Sequence, residues 1–130
     1  LAHELMCGVL SASLFLCGVA KLSNVGFEWA DGPTNALLIY ERSASEFGFI
    51  TQLRIWLSQH PTLCAMGAVF SLSVEALAPV YLWRGARKIY GLAVFLMFVS
   101  LGFALGFMEA GWDVMALALA YSSLSDRQPR

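Results

Sequence analysis

The sequence predicts an all-α fold: a polytopic integral membrane bundle of about four transmembrane helices, with a short interfacial or re-entrant helical segment between the first and second. Three observations predict it. Hydrophobic residues make up 58% of the 130 residues and charged residues 13%, whereas a soluble domain carries about a quarter charged residues. Mean hydropathy is +0.67. The apolar residues are gathered into long blocks, which is what a bilayer demands. One helical domain over residues 1–124 is expected, followed by a polar tail over 125–130.

The first block, residues 5–22, has about the length of a hydrocarbon core. Gly8, Ser11, Ala12 and Gly18 leave room on it for close helix contact. It lacks the basic start and small-residue cleavage site of a secretory signal, and it ends on Lys21. Residues 23–61 differ. "SNVGFEWADGP" carries turn chemistry, and Glu41, Arg42, Glu46 and Arg54 argue against a span. Phe49, Ile50, Leu53, Trp56 and Leu57 give a roughly helical apolar face, so this segment reads as short amphipathic helices lying against the bundle.

The second block, 62–83, reads as one helix holding Glu75 and Pro79, and Pro79 should kink it or free the carbonyl one turn earlier. A basic turn, "RGARK", leads into the third block, 89–107. Gly102 and Gly106 form a G-x-x-x-G pair suited to a helix crossing. Residues 112–124 form a thinner fourth helix. Arg84, Arg87 and Lys88 share one loop, and Arg127 and Arg130 fall on the same side if four spans alternate. Acidic residues, Glu28, Asp31, Glu41, Glu46, Glu109 and Asp113, dilute the cations of the other side. The basic side should therefore be cytoplasmic, with 23–61 periplasmic or lumenal, in a bacterial inner membrane.

A formal net charge of −1 leaves no basic footprint for nucleic acid, and no Gly-rich phosphate loop occurs. Cys7, Cys17 and Cys64 form no C-x-x-C, and His3 and His60 lie at no ligand spacing, so no metal motif is present. The cysteines read as small apolar residues in helices.

Two polar positions stand out. Lys21 closes the first span, where a lysine is either an anchor reaching the interface or a group doing chemistry. The anchor reading pairs it with Glu28 or Asp31 of the following loop. Glu75 lies inside an apolar block, where an unpaired carboxylate costs roughly 2.5–3.5 kcal/mol on insertion scales. It should face the bundle, hydrogen-bonded to a neighbouring helix or to Arg84 or Arg87, or serve a proton or quinone site. Trp29, Trp56, Trp83 and Trp112 all fall near expected interfaces and read as an aromatic belt.

"GVAKL" at the end of a span, then Trp29 and Gly32, and later "EALAPVYL" and "RGARKIYGL", resemble the vitamin K-dependent γ-carboxylase-like membrane domain. That group includes the horizontally transferred transmembrane domains. A weaker likeness runs to the small four-helix DoxX and MauE-type membrane proteins. The resemblance implies that Lys21 is a base that deprotonates a hydroquinone, and a desolvated lysine suits that task. The family also presents a histidine in the helix after the basic turn, where this sequence has only apolar neighbours of Val99.

Two function classes follow. The first is a small accessory or structural subunit of a larger membrane complex, docked through its helices and without catalysis of its own. The second is a divergent or partial quinone-handling enzyme with Lys21 as base. The bilayer is the expected surrounding, and a quinone or lipid the expected ligand class if there is one.

Overall fold

In the computed structural model, residues 2–44, 48–106, 115, 118 and 121 are described. They form helices α1 (Ala2–Asn24), α2 (Gly32–Ser43), α3 (Phe49–Ser58), α4 (Pro61–Ala76) and α5 (Arg87–Leu105), with 3₁₀ turns at Gly26–Ala30 and Ala78–Leu82. No strand occurs among the described residues, so the fold is all-α. Of these helices, α1 and α5 are long and apolar enough to cross a membrane, and α4 is a shorter apolar helix. The fourth predicted helix, with Trp112, lies outside the described residues except for Met115, Ala118 and Tyr121.

The boundaries follow local chemistry. Asp31 caps α2, its carboxylate accepting from the Thr34 backbone N–H at 2.9 Å, and Pro33 sits in the first turn. Pro61 opens α4. Segment 23–61 holds two short helices, α2 and α3, rather than a span. α5 stops at Leu105 because Gly106 takes the left-handed φ of 75°, its N–H bonding the Gly102 carbonyl at 2.9 Å. This corrects the G-x-x-x-G expectation in one respect: Gly102 is buried within α5, but Gly106 is an exposed helix terminator and does not continue that helix face.

The expected second span is also broken, at the place Pro79 dictates. α4 ends at Ala76, and a 3₁₀ turn carries the chain to Leu82. Proline lacks the N–H that would extend the helix and crowds the turn before it. The carbonyls around the break are met by side chains from the neighbouring helices. Ser11 Oγ of α1 donates to the Ala78 carbonyl at 2.8 Å. Tyr90 Oη of α5 donates to the Val74 carbonyl. Arg87 Nε donates to the Tyr81 carbonyl at 3.1 Å. The break is therefore where α1, α4 and α5 are tied together.

Two apolar clusters fill the interior. The larger joins α1, α4, the second 3₁₀ turn and α5 through Leu10, Leu14, Val74, Tyr81, Val94 and Met97. The smaller joins α2 to α4 through Ala36, Ile39 and Cys64, with Leu57 of α3 and Ala104 and Leu105 of α5 against it. Arg54 of α3 is buried, and its Nε donates to the Phe103 carbonyl in the last turn of α5 at 2.8 Å. A cation there also suits the negative end of the helix dipole.

Gly32 is where α2 closes on α4. A Cβ on it would run into the Pro61 carbonyl and lie 3.3 Å from the Ala65 Cβ. At Gly67 a Cβ would meet nothing within 4 Å. Gly32→Ala should therefore destabilise the protein by about 1–3 kcal/mol, the usual cost of overpacking. Gly67→Ala should leave it unchanged or slightly more stable. Thermal unfolding of both variants in detergent checks the contrast.

Candidate functional site

The site is a polar centre buried between α1 and α4. Gly18 makes it possible: a Cβ at this position would lie 3.0 Å from the Glu75 Cβ and 3.2 Å from the Ala76 nitrogen. The missing side chain lets α1 and α4 approach at Glu75. Lys21 lies one helical turn beyond Gly18 on the same face, and its Nζ donates to Glu75 Oε1. The Glu75 side chain is 5% exposed and the Lys21 side chain 22%. The second carboxylate oxygen, Oε2, is buried without a hydrogen-bond partner. The Trp29 ring, in the first 3₁₀ turn, lies 4.8 Å from the ammonium, a cation–π distance.

This geometry corrects two expectations. Lys21 meets neither Glu28 nor Asp31, and it turns inward rather than out to an interface. The reason is that α1 runs on to Asn24, so the loop carboxylates start beyond the helix end while Lys21 keeps the direction of the Gly18 face. Asp31 is engaged in its cap, its carboxylate also accepting from Thr34 Oγ1 at 2.5 Å. The Thr34 hydroxyl and backbone N–H hold the Asp31 carboxyl below its usual range.

Nor does Glu75 reach Arg84 or Arg87. Both arginines turn to Glu4 in the first turn of α1. Arg87 Nη2 lies 2.9 Å from Glu4 Oε2, and Arg84 Nη2 lies 3.2 Å from Glu4 Oε1. Arg87 is 2% exposed, so this second ion pair locks the start of α5 to the start of α1. Its signal in the sequence was a carboxylate at the head of one apolar block and a guanidinium at the head of another. Only the fold shows that those two heads share one end of the bundle.

The tryptophans divide. Trp29 is half-buried beside Lys21, while Trp83 is 72% exposed. Trp56 stacks on His60 at 4.4 Å between centroids, and His60 Nδ1 lies 2.7 Å from the Trp56 carbonyl. His3 stands beside Cys7 at the other end of α1, its ring nitrogens 3.9 Å from the thiol sulfur. Among the described residues, no group of three His, Cys, Asp or Glu side chains could hold a metal ion.

Chemically, the centre is a cation and a carboxylate that neutralise each other inside an apolar bundle. Removing one partner leaves the other buried and uncompensated, which costs roughly 3–5 kcal/mol, while replacing both with apolar residues is often nearly neutral. Lys21→Met and Glu75→Leu should each destabilise strongly. The Lys21 effect should fall toward the low end because that side chain retains some exposure. The double variant should recover most of the loss. A double-mutant cycle on thermal unfolding reads the coupling. No family model matches the chain, and no curated protein or solved structure matches it either.

Proposed function

We propose that the chain is a small integral membrane helical module that serves as an accessory or structural subunit of a larger membrane complex, without catalysis of its own. The observation that carries this reading is the engagement of Lys21 by Glu75. For Lys21 to act on a substrate it must first release Glu75, leaving a carboxylate buried without its cation. The residue best placed for chemistry is thus committed to holding two helices together.

A bilayer setting is supported by the distribution of side chains. Leu5, Val9 and Leu16 of α1, Met66 of α4, and Ile89 and Leu96 of α5 are all at least half exposed, while Glu75, Arg54 and Arg87 are buried. Such an inside-out arrangement suits lipid or partner helices. α1 is about 35 Å long and α5 about 28 Å at the helical rise. α4 supplies about 24 Å and the 3₁₀ turn about 10 Å more, enough together to cross a hydrocarbon core of about 30 Å. With residues 112–124 as a further helix, four spans follow, and α2 and α3 form the interfacial segment. The basic turn then faces the cytoplasm of a bacterial cell. In a background lacking Cys7, Cys17 and Cys64, cysteines at Phe27 and Gly85 should be labelled from opposite sides of the membrane. Labelling of both from one side would exclude this topology.

One observation favours the second reading, a quinone-handling enzyme of the carboxylase-like type. Glu75 Oε2 is buried and unpartnered beside a lysine, and such an oxygen can accept a hydrogen bond, or the proton itself, from a quinol hydroxyl. The variants separate the two. Lys21→Arg keeps the charge and the reach but is a poor base. On the structural reading it leaves expression and co-purification of partner subunits close to wild type, whereas Lys21→Leu loses both. Loss of a quinol-dependent activity in a folded, assembled Lys21→Arg protein would establish the enzyme reading instead.

A further inference from the structure

A second feature lies apart from the ion pair. A cavity of about 470 Å³ opens between α2, α3, α4 and α5, with Trp29 on its wall. Its volume falls within the roughly 300–1,000 Å³ of small-molecule sites. Ile39, Leu57, Leu63, Leu96, Val99 and Phe103 are among its apolar lining residues, and none of the described residues lining it is charged.

One side chain in this wall behaves differently from its kind. Ser23, Ser43, Ser58, Ser73 and Ser100 each donate to a backbone carbonyl three or four residues earlier in their helix, at 2.6 to 2.8 Å. This is the ordinary way a helical serine satisfies itself in an apolar setting. Ser71 lines the cavity, is 3% exposed, and its Oγ has no hydrogen-bond partner. A buried hydroxyl left unmatched costs about 1–3 kcal/mol. One turn earlier, Gly67 also lines the cavity, and its missing side chain keeps the space beside Ser71 open.

We propose that this cavity binds the chain of a neutral amphiphile, a single-chain lipid whose uncharged oxygen group hydrogen-bonds Ser71 Oγ. The apolar wall accepts the hydrocarbon. Among the described residues no charged side chain lines the cavity, so a carboxylate or phosphate head would be desolvated there without a counter-ion from them. The orphan hydroxyl recognises one oxygen, as donor to a carbonyl or as either partner to an alcohol.

The test uses the full chain in lipid nanodiscs and a diazirine-bearing long-chain primary alcohol as the probe, with its carboxylic acid analogue at neutral pH for comparison. Photolabelling by the alcohol should be saturable and map to α4 and α5, and the carboxylate should label weakly. Gly67→Leu fills the cavity from its open side and should abolish labelling. Ser71→Ala keeps the volume and should weaken retention of the alcohol by roughly 5-fold, the worth of one net hydrogen bond, while its unfolding temperature stays level or rises. That last combination separates ligand recognition from a structural role, since no increase in side-chain size is involved. Undiminished labelling of a folded Gly67→Leu protein, unchanged retention in Ser71→Ala, or equal labelling by the carboxylate would overturn the proposal.

Discussion

A carboxylate buried in an apolar bundle dictates much of what surrounds it. Glu75 requires a cation, and the cation must arrive without a wide gap between helices. Gly18 removes the gap and Lys21 supplies the charge from the next turn of α1. The remaining geometry follows from that contact. It fixes how far α1 can slide along α4, because a shift by one turn would separate the pair and press a larger side chain against Glu75. Packing among leucines alone sets no such register. In lipid that matters more than in water, because apolar side chains gain little by leaving hydrocarbon for a protein interior.

The break at Pro79 depends on the same register. Carbonyls near the end of α4 need donors, and they find them in Ser11, Tyr90 and Arg87. Ser11 lies two turns before Gly18 on α1, so the helix approach that seats Glu75 also brings a hydroxyl to the Ala78 carbonyl. Arg87 in turn holds Glu4, which closes the loop back to the start of α1. The bundle is thus pinned at both ends of α1 by charge and along its length by hydroxyl-to-carbonyl bonds. Each polar group contributes little net free energy when paired, yet each is costly to leave alone in a dry interior. Such contacts select one arrangement out of many of similar apolar packing.

Several of these features were legible in the residues themselves. Composition and block length gave helices, the turn chemistry of 23–33 gave the end of the first block, and Pro79 marked a disturbance in the second apolar block, though its being a full break was not read from the residues. Glu75 was visible as a group that must face inward. Its partner was not, because sequence proximity pointed Lys21 to Glu28 and Asp31, and the helix phase that turns it toward α4 depends on α1 continuing to Asn24. Gly106 was misread for a similar reason. A G-x-x-x-G spacing describes a helix face only while the helix lasts, and here the second glycine ends it. The cavity beside Ser71 had no sequence signal at all. A serine in a helix usually bonds its own backbone, and only the packed structure shows that Ser71 is left with no partner at all.

The relation between the ion pair and the cavity bears on the choice between a docking subunit and an enzyme. Trp29 belongs to both, since its ring faces the Lys21 ammonium and also lines the cavity wall. Ser71 and Glu75 are one turn apart on α4, and each carries an unpartnered oxygen. Glu75 Oε2 belongs to a carboxylate already held by a cation, whereas Ser71 is a neutral residue in the wall of an apolar cavity. The first environment holds helices in register, and the second suits the hydrocarbon chain proposed for it. A closed polar centre beside an uncharged cavity fits the proposed subunit, which would bind lipid and present a fixed helical surface. This division supports the subunit reading on grounds independent of the missing histidine in α5.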